Sequence, residues 1–188
     1  MNKYNHLLTF ISQLNHKYNK SVSIEIKDHQ SSCLRNNIII NRDDFQNLKV
    51  DELKSLIAHE YAHILYKHSN YINFWNYFIV KHIFLIFICS FSFDLDIFFY
   101  QIVGFLSLTI SITLILKERK NRKFAREQEI KSDLFAINLT NKNTFKNLIY
   151  YFQEKDKNDY NFDLIIDSII LGKHHPSFKE RLYLAENI

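Results

Sequence analysis

The stretch Ile57–His68, IAHEYAHILYKH, decides how the rest of the chain is read. Its centre, His59-Glu60-Tyr61-Ala62-His63, is an H-E-x-x-H pattern set among apolar residues at helical spacing: Leu53, Leu56, Ile57, Ile64 and Leu65. Asp51 is placed to act as N-cap and Glu52 adds negative charge to the first turn, so a helix is expected from there onward. Positions i and i+4 share a helix face, which lets His59 and His63 direct their imidazoles at one point. Two such imidazoles are half of a tetrahedral zinc site, and Glu60 beside them is a candidate general base.

The pattern alone fixes only three positions. In a chain with nine His it also describes two surface histidines on an ordinary amphipathic helix. What separates the two readings is a third ligand. Arg126–Ala136, REQEIKSDLFA, carries E-x-x-x-D on a second helical stretch expected over residues 122–139. Glu129 is the candidate third ligand, leaving a fourth position for water, and Asp133, one turn on, is placed to orient a ligand histidine.

Composition narrows the alternatives. A chain of 188 residues has room for one compact domain. With two Gly and one Pro, the composition argues against long loops and a Gly-rich phosphate cradle. Abundant Phe, Tyr and Ile favour an apolar core and membrane contact over disorder. The net charge of +4 is modest and does not argue for nucleic acid. Cys33 and Cys89 fall in different settings and neither has a Cys-x-x-Cys partner, so neither reads as a disulfide half or a metal ligand.

Residues 4–18 place Leu7, Ile11, Leu14 and Tyr18 on one face of an expected amphipathic helix. Val22–Ile26 alternates with period two and Leu34–Ile40 is apolar and β-branched, with turn residues from Asp28 to Ser32 between them, so a strand pair is expected. Two further helices are expected over Thr144–Phe152 and Phe162–Leu171, separated by the charged loop Glu154–Asn161. Ser177-x-x-Glu180 reads as a capping box opening a last helix that runs to Ala185. His68 reads as a surface histidine beyond the catalytic helix, and His6, His16, His29 and His82 show no ligand spacing.

Between the two half-sites lies the membrane question. Residues 97–116, IFFYQIVGFLSLTISITLIL, carry no charge and suffice for one bilayer crossing. Residues 72–93 are similar but interrupted by Lys81-His82, with Trp75 and Tyr77 suited to an interface. The two are expected to form a helical hairpin interrupting a single domain of residues 1–188, and the hairpin returns the chain to the side it left. Lys117, Arg119, Lys120, Arg122 and Lys123 follow the second stretch, whereas the turn between the stretches carries Asp94 and Asp96. That contrast places both ends on the cytoplasmic side.

The residues from Ile38 through the H-E-x-x-H helix, then Glu129-x-x-x-Asp133, then His175-Pro176-Ser177 with Arg181, occur in an order that resembles HtpX-like and CAAX-prenyl-endopeptidase-like membrane zinc proteases. The likeness covers most of residues 20–188. It implies an α+β, mostly helical zincin-type domain with a small β-sheet, split by the membrane hairpin. It further implies one zinc ion per chain held by His59, His63 and Glu129, with Glu60 catalytic and Asp133 behind the ligands. Ile38, Ile39, Ile40 and Asn41 would form the edge strand that pairs with extended substrate. His174 or His175 would stabilise an oxyanion, and Arg181 would pair with a carboxylate to fix the last helix. The implied activity is endoproteolysis of membrane or membrane-associated proteins and peptides at the cytoplasmic face of the inner or plasma membrane. Two rival duties stay open: a non-catalytic membrane adaptor that keeps the fold, and a dedicated peptide-maturation or immunity protease.

Overall fold

Residues 2–68, 97–156 and 175–188 are described by the computed structural model. The chain divides into two units: Met1–Ser69, Arg126–Tyr160 and His175–Ile188 make the first, and Asn70–Ala125 with Asn161–His174 the second. The interruption expected at 72–116 falls inside the second unit.

The first unit begins with helix α1 (Lys3–Tyr18), which buries Leu7, Ile11 and Leu14 along one face. It ends at Asn19, whose φ of 50° is the left-handed turn-out that Asn tolerates. The Asn15 amide donates to the Val22 carbonyl at 2.9 Å and accepts from the Val22 N–H at 3.1 Å, which fixes the chain leaving α1 against the start of the sheet.

Three strands follow: β1 (Ser23–Lys27), β2 (Ser32–Leu34) and β3 (Asn37–Asn41), in the order β1-β3-β2. β1 and β3 run parallel with Ser23 opposite Asn37, and β2 returns antiparallel with Cys33 opposite Ile38. The tight connection from β2 to β3 has Arg35 at φ 55°, a left-handed position without the usual Gly. The expected strand pair is present, but as a parallel pair with a third strand folded back beside it. This order corrects one expectation. Ile38, Ile39, Ile40 and Asn41 lie on the central strand: all four are paired with β1, and Ile38 and Ile39 with β2 as well, so the strand is not an edge of the sheet. Ile38 and Ile40 are fully buried instead, and the Asn41 side chain caps the next helix. Alternation marks a strand but not its place in the sheet.

Helix α2 (Arg42–Asn47) is capped by Asn41, which accepts from the N–H groups of Asp43 (2.8 Å) and Asp44 (3.3 Å). Helix α3 (Val50–Leu65) starts earlier than Asp51 would place it. Lys49 is the N-cap residue, and its N–H donates to Glu52 Oε2 at 2.8 Å, the backbone half of a capping box.

α3 is the centre of the unit. Leu53, Leu56, Ile57, Tyr61 and Ile64 pack with Leu7, Ile11 and Leu14 of α1 and with Val22, Ile24, Ile38 and Ile40 from the sheet segment. Burial of each such side chain contributes about 1.5–3 kcal/mol. Ala58 joins a second cluster with Ala136 and Ile137 of helix α4 (Ile97–Leu139), Phe145 and Ile149 of α5 (Lys142–Asp156) and Ala185 of α6 (Phe178–Glu186). The two alanines of the motif helix, Ala58 and Ala62, are completely buried, and their size lets neighbours approach closely.

α4 is one continuous helix where separate segments are expected, since the charged stretch after Leu116 contains no Gly or Pro to stop it. α5 outlasts its expected end by several residues. The region of the expected helix Phe162–Leu171 lies outside the described residues. α6 opens as expected: the Glu180 N–H donates to Ser177 Oγ at 3.3 Å, and the Ser177 N–H donates to Glu180 Oε2 at 2.8 Å.

A buried carboxylate ties the sheet end of this unit to α5. Asp44 accepts from Ser31 Oγ at 2.7 Å, Tyr151 OH at 3.1 Å and Lys155 Nζ at 2.7 Å. Ser31 Oγ in turn accepts from the Asn41 N–H at 2.9 Å.

In the second unit, the described part of α4 keeps Gly104, Ser111 and Glu118 buried while Phe105, Leu106, Ile112 and Leu116 are exposed. Glu118 pairs with Arg122 at 3.2 Å. Among the described residues, no helix is long and apolar enough to cross a membrane. The expected stretch 72–93 lies outside them.

Candidate active site

α3 presents His59 and His63 one turn apart on the side that faces α4, and α4 presents Glu129 and Asp133 one turn apart in return. The three candidate ligand groups converge. His59 Nε2 and His63 Nε2 are 3.2 Å apart; His59 Nε2 lies 3.4 Å from Glu129 Oε2, and His63 Nε2 lies 3.3 Å from Glu129 Oε1. One donor atom from each of the three residues lies within 4.8 Å of the others, close enough for all three to reach one metal ion. No other grouping of three or more His, Cys, Asp or Glu among the described residues has ligand spacing.

The electrostatics fit a cation at that point. His59 is pushed up to about 10: burial opposes its charge, but the bonds from Asp133 and Glu129 outweigh burial. His63 is pushed down to about 3 by burial and by the charge on His59. Burial also opposes ionisation of Glu129, yet His175 and His59 hold its carboxyl well below the usual range. The pocket therefore keeps the Glu129 carboxylate ionised and His63 neutral, the states in which both can act as ligands. Two imidazoles and a carboxylate are the donor set expected for zinc with one position left open.

Asp133, fully buried, stands behind His59. Its Oδ1 is 2.9 Å from His59 Nδ1, and that buried ring nitrogen has no other partner among the described residues. Arg181 from α6 grips the same carboxylate with two prongs, Nε to Oδ2 at 2.8 Å and Nη2 to Oδ1 at 2.5 Å. Asp133 is held below the usual range because the His59 and Arg181 contacts outweigh burial. Arg181 thus pairs with a carboxylate, as the sequence suggests, and that carboxylate is the one that orients a ligand.

Glu60 follows His59 and is only partly exposed. Burial pushes its carboxyl above the usual range, partly offset by the charge of His59. A raised carboxyl suits a group that must accept a proton and give it back. Its neighbour is Cys33 of β2, whose thiol is pushed up to about 12 by burial and by Glu60. Cys33 forms no disulfide with a described residue, and no sequence pattern links it to Glu60.

The remaining candidates separate. His175 Nδ1 lies 3.4 Å from Glu129 Oε2 with its side chain 71% exposed, so it reaches the site through a ligand carboxylate. His174 lies outside the described residues. Ile38, Ile39, Ile40 and Asn41 belong to the central strand, and among the described residues the edge strand lying against α3 is β2. His68, expected at the surface, has its Nδ1 3.0 Å from His63 Nδ1, and Ser132, fully buried, is 3.5 Å from the same His68 nitrogen.

No curated protein and no solved structure matches the chain. A family model does: Peptidase family M48 matches residues 10–188, the span that carries His59, Glu60, His63, Glu129, Asp133 and Arg181, and the chain belongs to this family of metallopeptidases.

Proposed function

We propose that the protein is a zinc-dependent endopeptidase working at the cytoplasmic face of a membrane on membrane or membrane-associated proteins and peptides. The observation that carries the peptidase reading is the convergence of His59, His63 and Glu129 within reach of one metal ion, with Glu60 adjoining. His59, His63 and Glu129 would hold the metal. When bound, the ion supplies Lewis acidity, activating a water and polarising the scissile carbonyl.

The protein's own groups do the rest. The Glu60 carboxylate takes a proton from the attacking water as the new C–O bond forms. It then delivers that proton to the amine nitrogen as the C–N bond breaks. Asp133 and Arg181 hold the His59 ring in place, so the ligand set need not reorganise during the reaction. Extended substrate would pair along the edge strand β2, which brings its backbone past Glu60.

The membrane part of the reading is supported by the uncharged run 97–116, by exposed Phe105, Leu106, Ile112 and Leu116, and by the basic cluster Lys117–Lys123. An adaptor that kept the fold is the rival. Glu60→Gln separates the two, because Glu60 is not a ligand. At matched zinc content, cleavage of a membrane-anchored peptide in proteoliposomes should fall about 10²–10⁴-fold in the variant. Cleavage by the variant at the wild-type rate would remove hydrolysis as the function.

A further inference from the structure

The H-E-x-x-H and E-x-x-x-D patterns give His59 a partner behind its ring and give His63 none. His68 fills that place. α3 ends in a Schellman turn: the His68 N–H donates to the His63 carbonyl at 2.9 Å, and the Lys67 N–H donates to the Ile64 carbonyl at 3.3 Å, with Lys67 at φ 53°. The reversal brings His68 back against the ring it has just passed. The two ring centroids are 4.9 Å apart at 81°, and the Nδ1 atoms are 3.0 Å apart. From α4, Ser132 Oγ approaches the same His68 nitrogen at 3.5 Å, and Tyr66 flanks the ring at 5.5 Å.

Resting on the metal-site reading above, the geometry points to His68 as a positioning residue for the ligand His63. A neutral His63 that turns Nε2 to the metal carries its proton on Nδ1. Two Nδ1 atoms 3.0 Å apart share one hydrogen, so His63 donates and the His68 lone pair accepts. The proton of His68 then sits on its own Nε2. His63 is thereby fixed in tautomer and ring plane, as Asp133 fixes His59, with a neutral acceptor in place of a carboxylate.

Two substitutions in the full-length chain divide the acceptor from the packing. His68→Phe keeps a ring against His63 and Tyr66 but offers no lone pair. His68→Asn offers an oxygen near the Nδ1 position but no ring. Zinc affinity by chelator competition, and the visible spectrum of the cobalt-loaded protein, should show His68→Phe weakened about 10–100-fold with an altered band, and His68→Asn within about threefold of wild type. The reverse order, equal losses in both variants, or wild-type behaviour of His68→Phe would each overturn the inference. Failure of the unmutated chain to bind either metal would overturn the metal-site reading and this inference together, and it is visible before any variant is made.

Discussion

Asp44 and Asp133 are both aspartates buried almost to the last atom in the same unit, and they do different work. Asp44 is 2% exposed and gathers three donors: the Ser31 hydroxyl, the Tyr151 phenol and the Lys155 ammonium. None of them is hydrogen-bonded to His59, His63 or Glu129. Asp133 is 0% exposed and divides itself between a guanidinium, Arg181, and the ring of His59. Burial of a carboxylate therefore does not mark a functional site by itself. What marks it is whether one of the partners is itself free to bind something else. The partners of Asp44 lead only to further groups of the fold, as Ser31 does to the Asn41 N–H, whereas His59 turns a second nitrogen toward Glu129 and His63.

The comparison is most exposed to Asp44→Ala. Three polar groups lose their shared acceptor, and leaving part-buried donors unsatisfied costs about 1–3 kcal/mol. Denaturant unfolding should show a loss of about that size, while zinc affinity of the folded protein stays at the wild-type value. A fall in affinity in step with stability would erase the distinction between the two aspartates.

Asp133→Ala should behave in the opposite sense. Its main readout is metal binding, expected to weaken about 10–100-fold, equivalent to about 1.4–2.7 kcal/mol. Calorimetric zinc titration checks this. Wild-type affinity with lowered stability would make Asp133 a structural group of the same kind as Asp44.

The smallest effect sharpens the Asp44 side. Lys155→Met removes a charge whose side chain is 43% exposed, so water already screens the pair and the loss should stay below about 1 kcal/mol. A loss as large as that of Asp44→Ala would mean that Asp44 depends on this one partner rather than on its hydroxyl donors.

The legible part of the site was the part written at helical spacing. His59, Glu60 and His63 lie within one stretch, and so do Glu129 and Asp133, because a helix converts a four-residue interval into a shared face. The partners of those residues were not written that way. Arg181 was reachable only through resemblance, and the approach of Cys33 to Glu60 depends on how β2 lies against α3. His68 needed a helix end with a left-handed residue, and Lys67 gives no sequence sign of one. Asp44 draws on Tyr151 and Lys155 from a distant helix, a pairing no local pattern encodes. In the fold, helices and strands were readable from periodicity. The order β1-β3-β2 was not, since alternation says nothing about neighbours, and the edge strand was misassigned for that reason.

The left-handed Lys67 bears on how this sequence can drift. Holding a side-chain-bearing residue at φ 53° is disfavoured by about 1–2 kcal/mol relative to the right-handed region, except for Gly and, less so, Asn. Neutral exchange at this position is thus filtered by backbone shape, although the Lys head group itself has no part in the chemistry. Gly and Asn are admissible replacements, whereas Val or Ile would straighten the turn and carry His68 away. Descendants of this chain should show a narrow alphabet at residue 67 for a reason that is entirely steric.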